Sequence, residues 1–407
     1  MRILFLSHYF PPEVNAPASR TYEHCREWAA LGHEVTVVTC APNHPRGKVY
    51  PGYRNRLWQR EEMDGIQVVR LWTYVTANEG FLKRTLNYVS YMVSALLAAP
   101  FLPKADVVIT TSPQFFNGLA GVLVGPLKRA PWVLEIRDLW PESIVTVGAI
   151  RNRRIIRVLE WLEMLAYRRA DRILPVTDAF RDYMVRKGIP AEKIAVIKNG
   201  VDLARYRPEG ADPGLRAELG LGGKFVAAYV GTHGMAHHLE TVLEAARLLR
   251  NVPDVVFLLV GDGAERARLL QLKESMDLEN VVMLPQQPKE RMPAVWAASD
   301  VSLVLLKKSD LFKTVIPSKI FESLAMQRPV VLGVEGEARQ IVEAADAGIG
   351  IEPENAAELA AAVVALARDP ERRSRMGYSG RAYVEAHFDR RVLARRYLEV
   401  LQSVART

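Results

Sequence analysis

Cysteine is scarce: Cys25 and Cys40 are the only two in 407 residues. That excludes a disulfide framework and a four-cysteine zinc site, and it fits a reducing compartment. Long apolar runs are missing too. The opening run Ile3-Leu4-Phe5-Leu6 stops at Ser7, too short for a signal-peptide core, so export is not expected. The longest uncharged stretch, Leu86 to Leu102, falls just short of the ~20 residues that span a bilayer, and Pro100 breaks its end. Lys83 and Arg84 precede it and Lys104 follows. A buried helix of an α/β domain, an interfacial helix dipping into headgroups, and a true span all remain open for it. There is no internal repeat and no low-complexity tract.

What is present is an ordinary globular composition, 49% hydrophobic and 25% charged. The length suits two or three domains. The net charge of +8 is uneven: residues 1–207 carry +10 and the remainder −2. A basic half suggests an anionic partner, with nucleic acid, phosphorylated lipid and an anionic membrane surface as candidates, beside a merely basic surface. No recognition-helix signature occurs, and aromatics do not interleave with the arginines, so nucleic acid is not expected. Arg151, Arg153, Arg154, Arg157, Arg168, Arg169 and Arg172 cluster on and beside a helical pattern, 155–167, whose apolar face includes Trp161. With Lys83, Arg84 and the 86–102 stretch, this half is expected to approach an anionic membrane surface.

The first half alternates apolar strands with helix-length segments. Strands are expected at 2–7, 34–40, 66–72, 106–112, 132–138 and 172–177, with a helix over 18–31 capped by Ser19 and stopped by Gly32. The pattern restarts with strands at 224–231, 254–263, 280–286, 301–306 and 329–334. Such alternation means βαβ units and parallel sheets, hence two Rossmann-like α/β domains. A Gly-, Pro- and Arg-rich stretch near 203–222 separates them. Ligands of open α/β sheets bind at the carboxyl ends of the strands, so residues there carry most weight.

Four places stand out. In Pro317-Ser318-Lys319-Ile320-Phe321-Glu322, a helix start and a lysine favour a phosphate, and the later carboxylate could meet ribose hydroxyls; a capped surface helix is the alternative. Gly231-Thr232-His233-Gly234 follows a strand, and its glycines would let a diphosphate approach, or simply form a tight turn. His233, His237 and His238 cluster there; a zinc site would need a helical or loop geometry that sequence does not supply, and no Cys lies nearby, so a metal is not expected. In Glu135-Ile136-Arg137-Asp138-Leu139-Trp140-Pro141-Glu142-Ser143, Asp138 ends a strand where a carboxylate could orient or deprotonate a hydroxyl; a structural Arg137–Asp138 pair is the alternative. The first βα loop, from His8 through Asn15 to Arg20, is long; Arg20 could face an anion, and His8 could titrate near neutral pH or sit in the core.

Taken in order, FPPE (10–13), GHEVTVVT (32–39), EIRDLWPES (135–143), VIKNGVD (196–202), YVG (229–231), LVGDG (259–263) and PSKIFESLAMQRPVV (317–331) resemble a family 4 glycosyltransferase of GT-B fold over nearly the whole chain. EIRDLWPES together with PSKIFE is similar to a bacterial polysaccharide subgroup that includes L-fucosamine and N-acetylglucosamine transferases. The resemblance implies two Rossmann-like domains with parallel sheets facing across a cleft: 1–203 for the acceptor, 204–385 for the donor, and a C-terminal helix, 386–407, packing back on the first. It implies retaining transfer from a UDP-sugar to a lipid-linked or polysaccharide acceptor, without metal or other cofactor, at the inner face of the cytoplasmic membrane. Donor-side residues would be Gly231, Thr232, His233, Gly234, Gly263, Gln286, Thr314, Pro317, Ser318, Lys319 and Glu322. Acceptor-side residues would be His8, Asn15, Arg20, Arg137, Asp138 and Glu142. Asp138, Lys319 and Glu322 would carry the chemistry. Glu322 matches the later Glu of the family's Glu-x7-Glu motif, while Thr314 stands at the earlier one; Arg137 replaces the family's histidine. The basic residues that often follow the family's glycine at Gly231 are absent, so Lys319 would carry more of the diphosphate charge. A sugar-nucleotide 2-epimerase of the same fold, and a silent member that only binds sugar nucleotide, are the rival readings.

Overall fold

The computed structural model describes residues 1–44, 46–76, 81–146, 150, 152–210 and 214–405. The chain divides into two compact units, Met1–Lys198 with Arg390–Thr407, and Asn199–Asp389. The boundaries expected after 203 and after 385 both shift by a few residues. The physical reason is local: the Val201 N–H donates to the Phe388 carbonyl, so the two connecting segments pair within the second unit.

The first unit holds β1 (Arg2–Leu6), β2 (Glu34–Cys40), β3 (Trp58–Met63), β4 (Ile66–Leu71), β5 (Val107–Thr111), β6 (Trp132–Ile136) and β7 (Arg172–Pro175), in the sheet order β3-β4-β2-β1-β5-β6-β7. All pairs are parallel except β3–β4. Strand β3 is a departure from the expected wholly parallel sheet. Its sequence, WQREEM, is too charged to read as a buried strand, and an edge position tolerates it. The helices are α1 (Ala16–Ala30), α2 (Phe81–Ala98), α3 (Phe115–Lys128), α4 (Glu142–Thr146), α5 (Arg153–Arg169) and α6 (Asp178–Arg186). Asn15, not Ser19, caps α1: its Oδ1 accepts from the Ala18 N–H at 2.9 Å.

The second unit holds α7 (Gly214–Glu218), β8 (Phe225–Val230), α8 (Glu240–Leu248), β9 (Val255–Val260), α9 (Arg266–Ser275), β10 (Val281–Leu284), α10 (Met292–Ala297), β11 (Val301–Leu305), α11 (Lys319–Ala325), β12 (Val330–Gly333), α12 (Glu337–Ala344), β13 (Gly348–Gly350), α13 (Ala356–Arg368) and α14 (Pro370–His387). Its sheet runs β10-β9-β8-β11-β12-β13, all parallel. Strands of parallel sheets are covered on both faces, which is why VVFLLV and FVAAYV are buried throughout.

The last helix, α15 (Arg390–Ala405), belongs to the first unit and lies on α1. Trp28 Nε1 donates to the Ala394 carbonyl at 2.8 Å, its ring meets Tyr397 edge-on at 5.1 Å, and Arg390 pairs with Glu23 at 3.0 Å. Buried Phe5, Val37, Ile109 and Val133 complete this side of the sheet. On the other side α3 packs against both α2 and α5.

Candidate active site

In the second unit the carboxyl ends of β8 and β9 lead into loops that lock together. Gly231 follows β8 with φ +142°. A Cβ on Gly261, after β9, would stand 1.8 Å from the Gly231 carbonyl oxygen. Only glycine lets the backbones approach so closely. The His233 N–H donates to the Asp262 carbonyl, and the His233 carbonyl accepts from the Glu265 N–H, each at 2.9 Å. The Gly263 N–H bonds its neighbour's Asp262 Oδ1 at 2.8 Å.

Lys319, the first residue of α11, brings its ammonium to this junction. Nζ lies 3.6 Å from the Tyr229 ring centroid, and a Cβ on Gly231 would stand 2.9 Å from it. Among the described residues Nζ has no hydrogen-bond partner, although it is buried. Burial pushes Lys319 down to about 7, opposed by the charge of Glu322. The ring face offsets part of the desolvation cost, on the order of 2 kcal/mol at a dry site. A buried cation lacking a hydrogen-bonding anion is otherwise unfavourable, so this junction calls for negative charge. Lys319 thus stands beside Gly231, where the basic residues of the family pattern are missing.

Two histidines near Lys319 are neutral. Burial, with the charges of Arg266 and Lys319 behind it, holds His233 at about 4; burial and the Lys319 charge hold His237 at about 3. His237 Nδ1 lies 3.2 Å from the Leu305 carbonyl, which can only accept, so Nδ1 carries the proton. The Tyr229 hydroxyl donates to the carbonyl of Thr232, itself exposed. Ser318 precedes α11 in a helical conformation and makes no side-chain cap bond, so its hydroxyl is not spent on the helix. Pro317, Ser318, Gly234 and Glu322 are half-buried nearby in sequence, and Gln286 is exposed just after β10. The Thr314 hydroxyl donates to the Leu311 carbonyl at 2.6 Å, so its one proton is used within its own turn rather than offered to a sugar.

Two side chains at this junction escaped the sequence reading. Tyr229 passed as one more strand residue in an apolar run. Arg266 opens α9, where the helix dipole favours an acid, and its charge acts on His233. A cation at that end is the signal that could have found it.

In the first unit, Asp138 follows β6 and lines a small apolar cavity with Phe115, Leu119, Trp140 and Tyr167. Burial pushes its carboxyl up to about 6, against the Ser143 hydroxyl, the Leu139 N–H and the Arg84 charge. The Arg137–Asp138 pair allowed by the sequence is not made. Arg137 donates to the Pro17 carbonyl at 3.2 Å and lies by Glu135, and burial lowers it to about 9. Glu135 is instead held by Arg20 at 2.8 Å and by Thr111 at 2.6 Å.

The expectation for Arg20 is corrected here, and of the two readings of His8 the core position is the one found. Arg20 is not open to an external anion: it is 1% exposed, and its guanidinium donates to the Glu135 carboxylate and to the Ile197 and Lys198 carbonyls. His8 is not poised near neutral pH; enclosed by Tyr9, Tyr88 and Tyr91, it is pushed to about 3 by burial. Asn15 Oδ1 caps α1, while its Nδ2 is buried without a hydrogen-bond partner among the described residues. Glu142 is exposed and bonded by the Tyr183 hydroxyl. The FPPE glutamate, Glu13, accepts the Asn43 and His44 N–H groups at 2.8 Å, yet burial raises it to about 7. Among the described residues no group of three His, Cys, Asp or Glu side chains is placed to hold a metal ion.

Comparison with known proteins matches residues 15–200 to the family described as glycosyl transferase 4-like domain, and residues 213–383 to glycosyl transferases group 1. The chain is 28% identical to the putative colanic acid biosynthesis glycosyl transferase WcaI of Escherichia coli K12, over 98% of this chain and 99% of that protein. It is 29% identical to the putative colanic acid biosynthesis glycosyltransferase WcaL of Salmonella typhimurium, over 92% and 93%. Its fold is similar to sucrose-phosphate synthase of Thermosynechococcus elongatus, with TM-score 0.76, 18% identity, and coverage of 99% and 98%. It is also similar to HepE of Anabaena in complex with UDP-glucose, with TM-score 0.72, 20% identity, and coverage of 99% and 100%. With two doubly wound units and a glycine-lined, lysine-bearing strand end in the second, the chain belongs to the family 4 glycosyltransferases of GT-B fold and is a glycosyltransferase of polysaccharide biosynthesis.

Proposed function

We propose that this enzyme transfers an N-acetylated hexosamine or deoxyhexosamine from a UDP-sugar, with retention at the anomeric carbon, to a lipid-linked or polysaccharide acceptor at the inner face of the cytoplasmic membrane. The observation that carries the donor assignment is the buried, unpartnered Lys319 ammonium beside Gly231. It supplies positive charge at the strand ends where a nucleotide diphosphate binds in such sheets. The Anabaena neighbour was solved with UDP and with UDP-glucose, which supports the same donor class here.

In the reaction, the bond from the anomeric carbon to the diphosphate oxygen breaks while the acceptor oxygen bonds to that carbon on the same face. The acceptor proton passes to a phosphate oxygen of the departing UDP. Lys319 stabilises the charge that grows on that diphosphate, the term that dominates such a transfer. Glu322 takes the donor ribose hydroxyls, and Asp138 orients the acceptor hydroxyl. No metal is assigned a role, because Lys319 already stands where the charge develops. The test is transfer of labelled sugar from a panel of UDP-sugars to a lipid-diphosphate acceptor, with and without EDTA. The reading predicts one preferred donor, UDP release matched to transfer, and no loss with EDTA. UDP release without any transfer across the panel would refute it.

A further inference from the structure

The membrane reading above names no surface, and the arrangement of three helices supplies one. On α2, Leu82, Leu86, Val93 and Leu97 are exposed, Leu97 at 71%. At 100° per residue these four positions fall within one narrow stripe. Phe101, 76% exposed, continues it just past the helix. Helix α3 lies against α2 and exposes Leu123 and Leu127. Helix α5 lies against α3 and exposes Ile155, Val158 and Trp161. Singly exposed apolar side chains are ordinary, but their gathering on three neighbouring helices marks an interaction surface.

The charges around this face are of one sign. Lys83, Lys104, Arg129, Arg153, Arg154 and Arg157 are exposed on or beside these helices. Among their described residues Glu160 is the one exposed acid, since Glu163 is buried against Lys187. Arg151, also expected in this group, lies outside the described residues. No described helix is long and apolar enough to cross a membrane. An apolar face with a basic border matches an anionic lipid surface, where apolar side chains enter the acyl boundary and the cations meet headgroups.

We propose that the α2–α3–α5 face of the first unit is the membrane-docking surface, with anionic lipid as its occupant. Helix α3 is the central element. This assignment rests on the membrane-surface reading of the proposed function. The test is sedimentation of the full chain with phosphatidylcholine vesicles, with and without phosphatidylglycerol. Three proteins are compared: wild type, Leu97→Glu/Phe101→Glu, and Arg154→Glu/Arg157→Glu. Circular dichroism and UDP binding serve as controls, because none of these residues lies at the donor junction. The expected result is wild-type binding that needs phosphatidylglycerol and weakens with salt, and a loss of about tenfold or more in each variant. Variants that bind like wild type would overturn the face while leaving the membrane reading intact. Wild type that ignores phosphatidylglycerol would overturn both. A dimer of the wild type that both variants dissolve would assign the face to a second copy and overturn the proposal.

Discussion

The Lys319 ammonium lies 3.6 Å from the centroid of the Tyr229 ring, with Gly231 leaving room beside it. The ring face holds the cation without neutralising it, so the charge stays available to a ligand. The next residue pair along the chain reinforces this: neutral His233 and His237 add bulk and polarity but no competing charge.

Lys319→Ala is expected to lower kcat by about 10²–10³, the effect of removing one group that stabilises developing negative charge in a dry site. The protein should fold at least as well as wild type, since an unmatched buried charge is removed. Steady-state transfer assays alongside thermal melts check both. A variant that loses activity only because it melts early would contradict this account.

UDP binding should take up a proton at pH 8. The free Lys319 sits at about 7 and is mostly neutral there, while an adjacent diphosphate favours the charged form. At pH 6 the lysine already holds its proton, so its uptake vanishes. Calorimetry in buffers of different ionisation enthalpy reads the proton directly. Lys319→Arg, charged at both pH values, should show no such pH-dependent uptake.

Gly231→Ala and Gly261→Ala should fail differently. At 231 the new methyl meets the flexible tip of Lys319, at 2.9 Å, in a backbone region that L residues rarely adopt. The expected cost is about 1–3 kcal/mol, together with a weakened UDP affinity. At 261 the methyl would lie 1.8 Å from a backbone oxygen, which cannot rotate away. Gly261→Ala should therefore show the larger drop in melting temperature. Equal melting of the two variants would count against interlocked loops.

The strand-and-helix alternation and a lysine at a helix start were legible because both are local. RILFLS and FVAAYV declare buried parallel strands, and PSK declares a cation at a helix start. What was not legible depends on partners far along the chain. Arg20 looks like an anion binder until Glu135, 115 residues away, claims it. His8 looks titratable until Tyr88 and Tyr91 enclose it. Tyr229 cannot be told from its strand neighbours until Lys319 is seen over its ring. Strand β3 was missed because an edge strand need not be apolar.

Asp138→Asn separates orientation of the acceptor from the chemistry at the diphosphate. Burial raises the Asp138 carboxyl to about 6, above its unfolded value of ~3.9. The folded state therefore penalises the ionised form. That penalty is absent below pH ~4, grows as pH rises to about 6, and is constant above it. The amide carries no such penalty, so the variant should be the more stable one at pH 7, by roughly 2–3 kcal/mol, and the gain should fade toward pH 4. Its UDP affinity should be unchanged, because Asp138 and Lys319 belong to different units. Its transfer rate should fall by about 10- to 100-fold, less than for Lys319→Ala, because the proposed mechanism gives the acceptor proton to a phosphate oxygen and not to Asp138. A larger loss for Asp138→Asn than for Lys319→Ala would make Asp138 the general base and displace the phosphate from that role.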